Sequence, residues 1–500
     1  MANKPAGNEW LKAHFGLINY SFTHSSYIGN NVSIELTSKG NIEQVYGPKY
    51  AVTDEPMDHI AFALKYDDLN LDFLSAVFAR IDVQEMNAFI ATTPSGRYTR
   101  KIGFLYEFLT GKELTLEKEV GGNYIDLLDT EKYITGKLVK NTRWRINNNL
   151  LGAKDFCPVI RKTKTLSELL EKDIRQNIEG LKNEFPEEIF RRAAAYLYSK
   201  ETRSSYEIEK EMPSPDRMER FITLLNRAGS RPTEEVLSRD NLVMLQNIIV
   251  DARFASADFR SFQNYVGESL PNYQALVHYI CPPPDMVKSM MIGLQSAAEK
   301  TTGVQPIIRA ALFAFGFVFI HPFEDGNGRL HRFMIHDILV HDGVVPEGVI
   351  IPVSAHMLNN INAYDQILQT YSKPLMQRIK YSMNEEGEVT VKNAEEVEGY
   401  YRYPDLTPQA TYLAETIHAT VKEDMPEELL FLLRYDEAKK EIQKIVDMPD
   451  RDIDRMLVFL LQNRGVFPKR RRELFSKLTD KEIEAMEQAY RMVYEIEIGG

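Results

Sequence analysis

Hydrophobic and polar positions run along this chain in two rhythms. Between residues 18 and 52, Thr, Ser, Val, Ile and Tyr broken by Gly and Asn predict short strands. From "LNLDFLSAVFARIDVQEMNAFI" onward, apolar residues recur at steps of three and four, the spacing of a helix with one buried face. Turn residues crowd "RWRINNNLLGAKDFCPVIRKT" and set a boundary near residue 160. Beyond it, "LSELLEKDIRQNIEGLKNEF", "PEEIFRRAAAYLYSKETRSSYEIEKEM" and "DRMERFITLLNRAG" all repeat every 3.6 residues. One segment breaks the rhythm. "AALFAFGFVFI", residues 310–320, is apolar on every side; it is far short of the ~20 residues of a bilayer span, so it predicts a helix buried within a core. The acidic, glycine-containing "NEEGEVTVKNAEEVEG" (384–399) predicts an exposed hairpin or linker, and a second helical block follows from about 405. The expected fold class is mainly α. It comprises an N-terminal α+β domain over 1–160, a helical domain over 161–385, a linker or hairpin over 386–405 and a C-terminal helical domain over 406–500, with a winged-helix-like unit as one option.

Charge and composition narrow the partners. Sixty basic residues against 72 acidic give −12, which disfavours general binding of polyanions. The one basic run, "KRRR" at 469–472, leaves room for an acidic partner or nucleic acid, but such tetrads usually start a solvated helix, so nucleic acid is not the expected partner. The first twenty residues lack the apolar stretch of a secretory signal. Two cysteines, Cys157 and Cys281, give almost no material for a disulfide framework or a thiolate zinc site. A cytoplasmic chain without membrane contact is the expectation; the oligomeric state stays open, a homodimer included.

The chemistry concentrates directly after the buried helix, in "HPFEDGNGRLHR" (321–332). Gly326 and Gly328, around Asn327, can take positive φ and let successive N–H groups converge into an anion-binding nest. The pattern after them is helical, which puts the nest at a helix N-terminus where the dipole favours phosphate. Arg329 and Arg332 are three apart, share a face of the first turn and suit a polyphosphate. Asp325 beside the nest suits Mg²⁺, which takes one or two carboxylates and fills its shell with phosphate oxygens and water. His321, at the other lip, is the group here able to accept a proton at neutral pH. Phosphate cradle, metal ligand and base together describe transfer of part of a nucleotide to a hydroxyl.

The same twelve residues resemble the Fic-family motif, His-x-Phe-x-Asp/Glu-Gly-Asn-Gly-Arg-x-x-Arg, at every specified position. The resemblance extends over about 190–380 and implies a Fic-type helical bundle. Upstream, "DARFASADFRSFQNYVG" and "QALVHYICPPPDMV" resemble the family's β-hairpin flap, on which a target protein would dock near 264–281. Downstream, "IIPVSAHMLNNINAYDQIL" resembles the helices that complete the fold, with Tyr364 toward the nucleotide. The implied activity is that of a protein adenylyltransferase, with ATP and Mg²⁺ as substrate and cofactor. Phosphates would lie over Gly326, Asn327, Gly328 and Arg329, with Arg332 on the γ-phosphate and Mg²⁺ on Asp325. His321 would deprotonate a Ser, Thr or Tyr hydroxyl of the target, and Phe323 would anchor the loop. A Doc-like kinase is disfavoured, because that branch departs from the Gly-Asn-Gly-Arg kept here.

Many Fic proteins carry an inhibitory helix of pattern Ser/Thr-x-x-x-Glu-Gly/Asn. Two stretches compete for it. "RQNIEG" (175–180) has Arg175 where the hydroxyl belongs, whereas "SYEIEK" (205–210) has Ser205 and Glu209 but Lys210 in place of Gly or Asn. The second is preferred, since its setting, "ETRSSYEIEKEMPSPDR", resembles the inhibitory segment of Fic proteins in which it precedes the core. Glu209 would then pair with Arg332 and take the place of the γ-phosphate. Two alternatives stand beside transfer: removal of AMP from a modified protein, with Glu209 directing water, and a nucleotide-sensing regulator acting through the C-terminal domain.

Overall fold

Three hydrophobic clusters organise the chain in the computed structural model, which describes residues 3–38, 40–269 and 275–496. The N-terminal cluster is built by helices Pro56–Tyr66, Leu71–Phe78 and Arg97–Thr110, whose buried faces bring together Ile60, Phe73, Val77, Ile102 and Tyr106. A four-stranded sheet of Lys4–Ala6, His24–Ile28, Ile42–Tyr46 and Ser33–Leu36, in that spatial order, stands beside it, only the middle pair being parallel. A second sheet joins Ile125–Asp126, Ile146–Asn148 and Val139–Asn141 in that order, and its central strand lies where the sequence suggested turns. Strands of two and three residues are too short to show a period of two.

The stretch before residue 160 is a seam rather than an exposed linker. Leu151, Phe156 and Ile160 enter the central cluster, while Leu150, Cys157 and Val159 enter the N-terminal one. Gly293 makes room for it: a Cβ there would fall 2.6 Å from the Phe156 amide nitrogen.

The central cluster surrounds the apolar helix, which runs Pro306–Ile320 with proline in its first turn, a favoured place because that N–H has no helical partner. It packs against helices Pro284–Lys300, Asn327–His341 and Thr407–Ala419. Strands Tyr265–Ser269 and Ala275–Ile280 form an antiparallel hairpin with a register shift at Val266/Gly267. This is the expected flap region; within it, residues 270–274 lie outside the described residues.

Tyr381–Met383 and Val389–Val391 form a second hairpin, followed by helix Ala394–Arg402. The central cluster continues through Leu429, and the third, with Ala438, Met456, Leu460, Phe475 and Met486, lies beyond it. Among the described residues no strand follows Val391, so the C-terminal block is helical and has no wing. Its basic run falls in the short 3-10 helix Lys469–Phe475, where Arg472 pairs with Asp480 at 3.0 Å and donates to the carbonyls of Phe475 and Leu478. Arg471 lies over the Phe459 ring, 5.7 Å from its centroid. Two of the four cations are thus used within the fold. No helix among the described residues is long and apolar enough to cross a membrane.

Candidate functional site

The apolar helix ends at His321, whose backbone is left-handed at φ 52° and ψ 59°. Histidine adopts this region more readily than most side chains, though not freely. Its amide still donates to Phe317 O at 2.9 Å, so the helix closes while the chain turns away. The loop beyond is held from within. Phe323 is fully buried and meets Phe259 edge-on, and the Asn327 side chain both accepts from Phe323 N at 3.0 Å and donates to Phe323 O at 2.9 Å. Asn327 therefore shapes the loop from behind, with both its side-chain oxygen and its nitrogen engaged by Phe323. Gly326, at φ 87°, starts helix Asn327–His341, hereafter the motif helix; a Cβ there would fall 2.8 Å from Val250.

His321 Nδ1 lies 3.2 Å from Val318 O. A carbonyl only accepts, so Nδ1 carries the proton and Nε2 keeps a free lone pair. Burial first, and then the Arg260 cation, push the imidazole from its ordinary 6.5 down to about 4, against the opposing pull of Val318 O and Asp325. The ring is neutral at pH 7 and able to accept a proton.

Both motif arginines are buried and already paired. Arg332 donates from Nε to Ser205 Oγ at 2.8 Å, and from Nη2 to Ser205 O at 2.5 Å and Glu209 Oε1 at 2.8 Å. Arg329 pairs through Nε with Glu209 Oε2 at 2.8 Å and through Nη2 with Glu211 at 3.0 Å and Asp325 at 2.5 Å. Burial pulls Arg329 down, but Glu209, Asp325 and Glu211 together outweigh it and hold its pKa above the ordinary value. Glu209 thus bridges both cations, where the sequence suggested Arg332 alone. Its carboxylate also sits on the first turn of the motif helix: a Cβ on Gly328 would fall 2.2 Å from Glu209 Oε1, so only glycine admits an anion this close.

Helix Glu187–Glu207 delivers this segment. It is pinned by Glu201, a buried carboxylate that takes His336 Nε2 at 2.7 Å and Ser354 N at 2.8 Å, and also the Ser354 hydroxyl. Past the helix end, Lys210 is left-handed at φ 59°. That conformation explains why Gly or Asn suits this position and why lysine is tolerated only with strain. Lys210 Nζ also lies 3.3 Å from Glu268 on the flap. Tyr206 lies between two guanidiniums, Arg329 at 5.0 Å and Arg217 at 5.1 Å from its centroid, and donates to Ile249 O at 2.7 Å. The rival stretch is elsewhere: Arg175 and Glu179 form an exposed pair at 3.1 Å on helix Ile174–Glu184.

Tyr364, expected toward a nucleotide, is 3 % exposed, packs between the rings of His331 and Tyr412, and presents its hydroxyl to the Arg332 guanidinium, so it stands beside one of the two motif cations. Two functional candidates had no sequence signal. Glu211 lies in the turn after the helix, where periodicity is silent, and Arg260 bonds backbone carbonyls, which a sequence does not display.

For a divalent cation, the carboxylates of Glu209, Glu211 and Asp325 lie within 4.8 Å of one another. Arg329 stands among them, which makes the trio a salt-bridge cluster. Asp325 by itself fits Mg²⁺: Gly326 N and Arg329 both use its Oδ1, while Oδ2 takes no hydrogen bond among the described residues. A cavity of about 560 Å³ opens elsewhere on the motif helix, beside Phe333 and Asp337.

Compared with known proteins, residues 236–339 match the sequence model described as Fic/DOC family. Among solved structures, the chain is similar to a Fic family protein from Desulfovibrio desulfuricans G20, at 16 % identity and a TM-score of 0.38, over 67 % of this chain and 85 % of that one. It is also similar to a Fic domain containing signaling protein from Bacteroides thetaiotaomicron VPI-5482, at 18 % identity and a TM-score of 0.35, over 51 % of this chain and 97 % of that one.

Proposed function

A chain with a Fic/DOC domain over residues 236–339 is a Fic-domain protein, and on that premise we propose that it transfers AMP from ATP to a target-protein hydroxyl and is held inactive in cis by Glu209. The observation that carries this reading is the Glu209 carboxylate, which occupies both motif arginines at 2.8 Å on the N-terminal turn of the motif helix. An anion is bound there already, and a polyphosphate needs the same donors.

When Glu209 withdraws, Arg329 and Arg332 each give up one anionic contact, which the phosphates can take to align the α-phosphorus. His321 Nε2 takes the proton from the Ser, Thr or Tyr hydroxyl, its imidazole steadied by the Nδ1–H to Val318 O. The hydroxyl oxygen bonds to the α-phosphorus, the bond to the β-phosphate bridge breaks, and pyrophosphate leaves with AMP on the target. Mg²⁺, held by Asp325, would supply neutralising charge to the phosphates. The rest is alignment and electrostatics on preformed groups.

The test is incubation of the chain with ATP and Mg²⁺ followed by intact mass. An added AMP on the chain or on a co-incubated target supports transfer. Nucleotide binding without any covalent label favours the regulator, and loss of AMP from a modified protein favours the reverse reaction.

Two further results are expected. Asp325→Asn keeps an acceptor for Gly326 N but loses the charge, and should raise the Mg²⁺ needed for half-maximal labelling by at least about tenfold, the equivalent of ~1.4 kcal/mol. A magnesium titration matching the parent would remove Asp325 as the ligand. Glu211→Gln loosens Arg329, and with it Arg217, but leaves Arg332 untouched; it should raise labelling, though by less than loss of Glu209. Equal gains from the two would show that Arg329, not Arg332, limits activity.

A further inference from the structure

Arg260 is 5 % exposed, and among the described residues no carboxylate lies within salt-bridge distance of it. Burial holds its pKa below the ordinary value. An unpaired buried cation is costly unless its donors are satisfied, and here backbone carbonyls satisfy them. Nε donates to His321 O at 2.8 Å, and Nη2 to Pro282 O at 2.6 Å and Ile320 O at 3.4 Å. Nη1 donates to Phe262 O at 2.8 Å, and the Arg260 amide to Pro322 O at 2.8 Å.

The carbonyls of three successive residues, 320 to 322, therefore end on one arginine. They bracket the left-handed His321, and they are the groups that would swing if that strained turn relaxed. The other two carbonyls, Phe262 and Pro282, flank the hairpin strands Tyr265–Ser269 and Ala275–Ile280.

We infer that Arg260 is a positioning residue for the transfer reaction: it holds His321 in the left-handed conformation that aims Nε2 at the incoming hydroxyl, and fastens that turn to the root of the flap. This rests on the reading of His321 as the base. A planar fork with five donors serves diverging carbonyls from one point; a lysine ammonium does not. The Arg260 charge also keeps the imidazole neutral, second to burial and against the pull of Asp325 and Val318 O.

The test uses Arg260→Lys in the full chain carrying Glu209→Gly, because lysine keeps the charge and still reaches some of the carbonyls. A cooperative melt verifies folding, and Arg260→Gln is the second variant. We expect kcat for labelling to fall about 100-fold, as for a small misplacement of a reacting group, with KM for ATP changed by less than about twofold. The carbon-13 signals of the His321 imidazole should shift as its bond to Val318 O loosens. Unchanged kcat in a folded variant overturns the inference, as does a loss shared equally between kcat and KM. If the Glu209→Gly parent itself never labels, AMP transfer fails as the function. The His321 ring signals then decide the positioning role alone: movement supports it, and identical signals in parent and variant reject it.

Discussion

Glu209→Gly should raise self-modification or target labelling by about 100-fold. Glu209 accepts a hydrogen bond from Arg332 and forms an ion pair with Arg329, and a hydrogen bond to a charged group contributes about 1.5–3 kcal/mol. Regaining about 2.8 kcal/mol of alignment in the transition state corresponds to two decades in rate. ATP affinity should change much less, because the inhibited site can bind nucleotide in an unproductive pose. The variant should fold: Arg332 keeps both Ser205 acceptors, and Arg329 keeps Glu211 and Asp325. Glycine also falls beyond the end of helix Glu187–Glu207, where its poor helix propensity matters little. Glu179→Gly is the control, since among the described residues Glu179 pairs only with exposed Arg175 and its loss should leave labelling flat. A gain with Glu179→Gly and none with Glu209→Gly would place the brake on the other segment. No gain with either would mean that the Glu209 bridge does not limit activity.

The site was readable where its chemistry is contiguous. His321, Asp325, the glycines and both arginines fall within twelve residues, and a loop joining two helices keeps sequence neighbours as spatial neighbours. Ser205 and Glu209 were readable through their spacing, although they lie 127 and 123 residues from the Arg332 that they contact. Lys210 looked like a departure because the backbone angle that favours glycine there is invisible until the turn is built. Glu211 was missed for a related reason: after the helix ends, no period says which way a side chain points. Tyr364 shows the limit of periodicity: an aromatic at helical spacing reads as core, and this one is buried yet lies against Arg332. For the fold, periodic patterns located the long helices, while the two- and three-residue strands of 125–148 offered none. The stretch before residue 160 read as a boundary from its turn residues, yet its side chains alternate between two cores, a partition that depends on tertiary partners.

Removing the base should have the largest effect of all. His321→Asn is the cleaner replacement, because asparagine also tolerates the left-handed backbone at φ 52°, whereas alanine would add strain to the loss of chemistry. Without a group to take the hydroxyl proton, labelling in the Glu209→Gly background should fall by about 10³-fold, within the range of general-base contributions. Nucleotide binding should be nearly unaffected, since the imidazole faces the hydroxyl rather than the phosphates. The pH profile of the Glu209→Gly chain carries the same assignment. As the proposed base, His321 must be neutral, and burial together with Arg260 has moved its pKa from 6.5 to about 4, so the acid limb of kcat/KM should fall near pH 4. Stability follows the same sign. The folded pKa is depressed below the unfolded one, so the unfolded chain binds the extra proton first, and the contribution of neutral His321 is full above pH 6.5 and is lost as pH falls toward 4. His321→Asn should flatten that part of the stability curve as well as lower labelling. Retention of most activity would exclude His321 as the base; an acid limb at 6.5 would mean that its ring is solvated and free of Arg260 in the working enzyme.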